Sequence, residues 1–197
     1  MPFETFEKII ALRHTPVRIP LNFCYGQIDV PLADSYALDL AQVKRELPAW
    51  PETLIVCSPA QRCQRLAQDL DRGPVAVDVR LQELSFGAWE GQLWSDIPRA
   101  MSEPWTDDVI HRSPPAGESF LDVIGRVRSF MLDPALPKHH KNLLLVTHAG
   151  VIRALSHLLD GFDYVDCLNQ KIGFGTYRSW DVSPVLLLGR NNLLKPL

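Results

Sequence analysis

Two spacings of apolar residues alternate along the chain. Ile9-Ile10-Ala11-Leu12 is a continuous apolar run between Lys8 and Arg13-His14, with Pro16 just beyond. It is too short for a helix and predicts a strand buried on both faces. From Pro31 to Leu47, the residues Ala33, Ala37, Leu40, Val43 and Leu47 recur at three- and four-residue steps, predicting a helix with one buried face. Thr53 to Cys57 predicts a second buried strand. Ser58-Pro59 then reads as a helix start, with Ser as N-cap and Pro as first helical residue, ahead of a face of Cys63, Leu66, Ala67 and Leu70. A third strand is expected over Val75 to Val79, and a helix over Ser119 to Met131 that buries Phe120, Ile124, Val127 and Met131. Leu143 to His148 predicts a fourth strand, followed by a turn at Gly150 and a helix over Val151 to Leu159. The tail alternates over Thr176 to Val182 and again over Val185 to Leu188, as an edge hairpin would.

Residues 81–117 have another texture. Trp89, Trp94 and Trp105, four prolines (98, 104, 114 and 115) and glycines 87, 91 and 117 predict an irregular or loosely helical insertion, the kind of segment that covers a pocket. The three tryptophans either pack that lid's own core or stack on an aromatic substrate. Buried strands alternating with one-faced helices imply a three-layer α/β/α sandwich around a mostly parallel sheet. The expected organisation is a single domain over 1–197 with 81–117 as its lid.

A chain of 197 residues with 46% hydrophobic and 22% charged residues is ordinary for one globular domain, which excludes disorder and coiled coil. The net charge of −3 removes the basic surface that nucleic-acid binding needs, yet leaves room for a small anion held by a few cations. Proline is in excess, at 16 residues, about 8% against a usual ~5%. Cysteines 24, 57, 63 and 167 form no CxxC pair, so reduced thiols are expected rather than a zinc site or a disulfide framework. Met1 to Lys8 is acidic without an apolar signal core. No apolar run approaches the ~20 residues that cross a bilayer. A soluble, cytoplasmic protein is expected, with no membrane or nucleic-acid partner.

In sheets of this kind, ligands bind beyond the carboxyl ends of the strands. The first strand ends in Arg13-His14. The second ends in Cys57-Ser58, with Arg62 one turn into the next helix. The third leads to Glu83, and the fourth ends in Thr147-His148. Any one of these alone is unremarked in ordinary proteins; together they converge on one edge. Arginine forks suit phosphate, the start of the helix after Ser58 adds an anion-binding end, and imidazole serves as nucleophile or proton donor. A metal site fits less well, because paired arginines repel a divalent cation. No G-x-S-x-G elbow, Walker loop or G-x-G-x-x-G fingerprint is present. The remaining chemistry is phosphoryl transfer through a phosphohistidine.

The residues that carry this chemistry resemble the histidine phosphatase superfamily, which includes the cofactor-dependent phosphoglycerate mutases. The likeness rests on Leu12-Arg13-His14-Thr15, on Cys24 to Leu32, and on Ser58-Pro59-Ala60-Gln61-Arg62. It continues through Leu81 to Gly91, Gly117-Glu118-Ser119 and Thr147 to Arg153, in the superfamily's order. Tyr25-Gly26-Gln27 with Asp29, Pro31 and Leu32, together with Phe86-Gly87-Ala88-Trp89-Glu90-Gly91, look most like the α-ribazole-5′-phosphate phosphatases of cobalamin synthesis.

The resemblance implies a phosphoglycerate mutase-like fold and a set of roles. His14 would be the nucleophile, and Arg13, Arg62 and His148 the clamp on the phosphoryl oxygens, with His148 as an imidazolium. Glu83 would be the general acid and then the base. Thr15, Asn22, Tyr25, Gly26, Gln27, Ser58 and Ala149 would line the substrate site. No metal and no cofactor are implied. Thr15 departs from the superfamily's usual Gly after the histidine, and Asn22 is the candidate for the first loop's usual Asn. Hydrolysis is favoured over a mutase, because the chain is short and Arg99 and Arg112 are the cations of the lid. A non-catalytic phospholigand-binding or phosphoprotein-interacting module is the alternative of another class. The expected partner is a small phosphorylated metabolite, and the chain is monomer or homodimer.

Overall fold

The computed structural model describes residues 6–137 and 139–182. Five strands, β1 (Lys8–Arg13), β2 (Thr53–Cys57), β3 (Val75–Val77), β4 (Asn142–Thr147) and β5 (Tyr177–Asp181), form one sheet in the order β3-β2-β4-β1-β5. The first four are parallel and β5 runs antiparallel along β1. Within the apolar runs, successive side chains go to opposite faces. Ile9, Ala11, Val56, Leu143 and Leu145 meet helices α4 (Phe120–Met131) and α5 (Ala149–Asp160) on one side. Ile10, Leu12, Ile55, Cys57, Leu144 and Val146 meet α1 (Tyr36–Glu46) and α2 (Gln61–Asp69) on the other. The result is the three-layer α/β/α arrangement that the sequence predicts. Two further helices are α3 (Arg99–Asp107) and α6 (Tyr164–Asn169).

Several local expectations are corrected. Helix α1 begins at Tyr36 rather than Pro31, because 31–33 pairs with the 16–18 loop: Arg18 N–H donates to Pro31, and Ala33 N–H to Pro16. Ala37 is consequently exposed. Helix α2 starts at Gln61 with Ala60 as its cap, and the Ser58 hydroxyl, outside the helix, accepts the Ala60 N–H at 3.3 Å. Strand β3 is three residues long and lies at the sheet edge, because Asp78 accepts from the Arg80 backbone and turns the chain into a 3-10 turn over Val79–Leu81. Helix α6, capped by Asp163, has no counterpart in the sequence reading. Of the expected tail hairpin, β5 is the first strand, while Val185 to Leu188 lies outside the described residues.

The register sets the geometry of the functional edge. Arg13 stands opposite Thr147, and Cys57 opposite Val146. His14, Ser58 and His148 therefore leave the carboxyl ends of three adjacent strands together. Ser119 caps α4 in a reciprocal capping box with Asp122, and α4 carries Arg126 toward the same edge. No helix among the described residues is long and apolar enough to cross a membrane.

Candidate active site

His14 follows the last residue of β1 and is buried, its backbone N–H donating to Thr147 across 3.0 Å. Its Nδ1 lies 2.8 Å from the carbonyl of Thr15. A carbonyl only accepts, so Nδ1 carries the proton and Nε2 presents a lone pair. Burial, then the Arg62 charge, lower the pKa of His14 to about 3, against the opposing pull of the Thr15 carbonyl. The ring is a neutral imidazole with its nucleophilic nitrogen exposed to what faces it.

Facing it is His148, with ring centroids 5.2 Å apart and planes at 66°. His148 is fully buried, with Nε2 2.8 Å from the Ser58 hydroxyl and Nδ1 3.5 Å from Arg62 Nη2. Arginine only donates, which places the His148 proton on Nε2, directed at Ser58. Burial, then His14 and Arg62, hold its pKa well below the ordinary value. This corrects the imidazolium expected from the resemblance: His148 is neutral here.

Arg62 is the largest fully buried side chain of the chain's described part. Its Nη1 donates to the Ile28 carbonyl at 2.9 Å and its Nη2 to the Gly26 carbonyl at 2.7 Å. Tyr25 lies under the guanidinium, with the ring centroid at 5.3 Å. Arg13 donates to the Ile172 carbonyl and sits 3.7 Å above the Phe174 ring. Neither arginine forms a salt bridge to a carboxylate among the described residues. Arg13 Nε, Arg62 Nε and Thr15 Oγ1 are all buried with no hydrogen-bond partner. Buried donors are nearly always satisfied, and three unspent ones around one imidazole describe a cradle for an anion.

Glu83 closes the cradle from the loop after β3. Its Oε1 accepts the N–H groups of Leu84 and Gly150, each at 3.0 Å. Glycine at 150 lets Glu83 come this close, since a Cβ there would fall 2.3 Å from that oxygen and push the carboxyl aside. The Glu83 carbonyl is held as well, by Gln27 Nε2 at 2.9 Å and Arg126 Nη2 at 3.0 Å.

The model of the Histidine phosphatase superfamily (branch 1) matches residues 9–176. The chain belongs to that superfamily. It is 30% identical over 168 residues to the glucosyl-3-phosphoglycerate phosphatase of Mycolicibacterium vanbaalenii, covering 78% of this chain and 74% of that protein. It is 29% identical over 136 residues to the adenosylcobalamin/alpha-ribazole phosphatase of Escherichia coli, covering 66% and 67%. The crystal structure of the alpha-ribazole phosphatase from Shigella flexneri superposes with a TM-score of 0.76 at 22% identity, covering 87% of this chain and 89% of that one, and shares the fold.

In this histidine phosphatase, the residues expected at the site fall into three groups. Arg13, His14, Thr15, Arg62, Glu83, His148 and Ser58 are brought together as described, and Ala149 follows as the first residue of α5. Tyr25, Gly26 and Gln27 support them, through a ring, a carbonyl and an amide. Asn22 is exposed, with a left-handed backbone (φ 59°), and is held by its carbonyl, which accepts from Trp94 N–H. Its side chain makes no hydrogen bond to the cradle.

Other participants escaped the sequence reading. Glu90 accepts the backbone N–H groups of Gln27, Ile28 and Phe86 at 2.8–3.0 Å, fixing the loop whose carbonyls orient Arg62. Gly26 (φ +27°) is packed so closely on it that a Cβ would sit 2.2 Å from Glu90 Oε1. Glu118 pairs with Arg126 at 2.8 Å and accepts from Ser85 N–H. Both Glu90 and Glu118 lie in the segments that carry the resemblance, which was the available signal. Phe174, under Arg13 and tilted against the His14 ring, had none. The tryptophans divide: Trp89 is buried with Cys24 and Ile97, while Trp94 and Trp105 stack on each other at 5.8 Å. Among the described residues, no group of three or more His, Cys, Asp or Glu side chains is placed to hold a metal ion.

Proposed function

We propose that this protein is a metal-independent phosphomonoesterase that works through a phosphohistidine at His14. The observation that carries the reading is the lone pair of His14 Nε2 among three buried donors with nothing to bind. The forks of Arg13 and Arg62, with Thr15 Oγ1, take the non-bridging oxygens of a phosphoryl group, and His148, its N–H held by Ser58, lines the cradle beside His14. Cations so placed are most effective as charge spreads over those oxygens in the transition state. His14 Nε2 attacks phosphorus as the ester P–O bond breaks, and Glu83 gives its proton to the departing alcohol. The resulting Glu83 carboxylate then takes a proton from water, whose oxygen attacks phosphorus. The N–P bond breaks and inorganic phosphate leaves. Ester and water become alcohol and phosphate, with no cofactor.

Thr15 serves in place of glycine without strain, because its backbone stays out of the left-handed region. Its hydroxyl adds a donor that glycine lacks. Residues 81–117 act as the lid. Arg99 pairs with exposed Glu103, and Arg112 is exposed, so the lid carries no inward cation for a second acidic group. That supports hydrolysis over mutase chemistry. Four buried free cysteines suit a reducing, cytoplasmic setting. The substrate is a small phosphorylated metabolite, and α-ribazole 5′-phosphate is one candidate, supported by the names of relatives. A screen of phosphate monoesters in the presence of EDTA, with α-ribazole 5′-phosphate, 3-phosphoglycerate and sugar phosphates side by side, tests the reading. Phosphate release from at least one ester supports it. No release from any ester, p-nitrophenyl phosphate included, contradicts it.

A further inference from the structure

Beside Glu83, a pocket of about 180 Å³ opens between the lid and helices α4 and α5. Glu83 and Gly150 form its wall toward the cradle. Phe86, Trp105, Phe120 and Leu168 make it apolar, and Arg153, one turn into α5, supplies its single cation. It shares Glu83, the residue assigned to protonate the departing alcohol, with the cradle.

Three properties define what fits. An apolar cavity of about 150 Å³ accepts one benzene ring, so a volume of this size holds a single ring with one substituent. A ribonucleoside carrying a bicyclic base would extend beyond its open mouth. The aromatic wall of Phe86, Trp105 and Phe120 offers faces and edges to a flat group. Arg153, finally, is a half-buried cation whose burial lowers its pKa. Its Nε and Nη2 both donate to the carbonyl of Gln170, at 3.3 and 3.0 Å, and Nη1 is left unspent. No carboxylate among the described residues forms a salt bridge with it, although Glu83 on the same wall lies near enough to raise its pKa. A charge so placed is costly unless an anion completes it.

Building on the phosphatase reading, we infer that the preferred substrates are phosphate monoesters whose alcohol is a compact, single-ring or similarly small apolar group bearing one carboxylate, with that carboxylate paired to Arg153. The lid tryptophan that borders this pocket is Trp105, with Trp89 and Trp94 packed against it from behind the lining.

The test compares kcat/KM for phenyl phosphate, 3-carboxyphenyl phosphate and α-ribazole 5′-phosphate in the wild-type protein, then in Arg153→Gln and Arg153→Lys. The wild type should favour the carboxylated ester over phenyl phosphate by about 10-fold or more, as a charge-assisted pair supplies, and over α-ribazole 5′-phosphate as well. Arg153→Gln should bring the ratio of the two aryl esters near 1, mainly by raising KM for the carboxylated one, and Arg153→Lys should restore part of it. A wild-type ratio at or below 1, or a ratio that Arg153→Gln leaves unchanged, overturns the assignment while hydrolysis itself stands. Faster turnover of α-ribazole 5′-phosphate does the same. Should Arg153→Gln not fold, the wild-type ratio and Trp105→Ala decide: Trp105→Ala should lower kcat/KM for both aryl esters relative to methyl phosphate, and equal loss on all three counts against the pocket. If none of these esters nor p-nitrophenyl phosphate is hydrolysed, the phosphatase reading falls, and the pocket's substrate with it.

Discussion

Arg62 donates to the Gly26 carbonyl across 2.7 Å, and the peptide beyond that carbonyl is held by Glu90, which accepts the Gln27 N–H at 3.0 Å. The acid that balances the site's buried arginine thus acts one peptide away. The guanidinium is oriented by neutral carbonyls and keeps its charge for a ligand. Removing Glu90 should disturb Arg62 without touching the phosphate. Glu90→Ala is expected to cost about 1–3 kcal/mol of stability, since three backbone N–H groups lose their acceptor, and to raise KM more than it lowers kcat. A denaturant midpoint and a kcat and KM pair measure this; an unchanged KM would separate the Glu90 loop from Arg62.

The fork of Arg62 matters as much as its charge. Arg62→Lys keeps the charge but can satisfy neither the Gly26 and Ile28 carbonyls together nor a bidentate phosphate. A fall in kcat/KM of roughly 100-fold or more is expected, on the scale of losing a placed electrostatic donor. Activity within a few-fold of wild type would mean that charge alone suffices.

The buried histidines predict an acid-labile fold. His14 has a folded pKa of about 3 against 6.5 when free. Below pH 6.5 the unfolded chain takes up a proton that the folded one refuses, so stability falls as pH drops from 6.5 toward 3 and is unaffected by this group above 6.5. His148 is depressed in the same direction. Between pH 7 and pH 5 the loss from His14 is about 2 kcal/mol, at ~1.4 kcal/mol per unit. Urea midpoints at the two pH values should show a smaller drop for His14→Gln than for wild type. Equal drops would show that His14 is not buried in the neutral form.

Chelation gives a separate check. Phosphate release should persist unchanged in EDTA, because each step is assigned to His14, Glu83 and the cationic cradle. Loss of activity in EDTA and its return with a divalent cation would replace that assignment with a metal-dependent one.

Much of this was legible in the chain. The continuous runs Ile9 to Leu12 and Leu143 to Val146 announce strands buried on both faces, and parallel pairing then brings Arg13-His14 and Thr147-His148 to one edge. Short polar connections were less readable. Pro31 to Ala33 carries a helical spacing, yet its backbone groups are taken by the 16–18 loop, a tertiary contact that local pattern does not encode. Ser58 has the chemistry of a helix cap, but His148 competes for its hydroxyl. Glu90 and Glu118 lie in segments that carry the resemblance, but their partners Gln27 and Ser85 are tens of residues away, and Arg126 looks like an ordinary surface charge in sequence. The Trp89, Trp94 and Trp105 alternatives needed coordinates, because the same three rings both pack on one another and, through Trp105, border a pocket.

The central claim is a covalent bond between phosphorus and His14. Glu83→Gln, which can neither protonate the leaving alcohol nor activate water, should slow turnover about 100- to 10,000-fold and accumulate phosphoenzyme with an activated ester such as p-nitrophenyl phosphate. Mass spectrometry of that protein, quenched at alkaline pH, should find one phosphoryl group on His14 and none in His14→Ala, which should also lack activity. Phosphate on another residue, or hydrolysis by His14→Ala at the wild-type rate, would contradict the account.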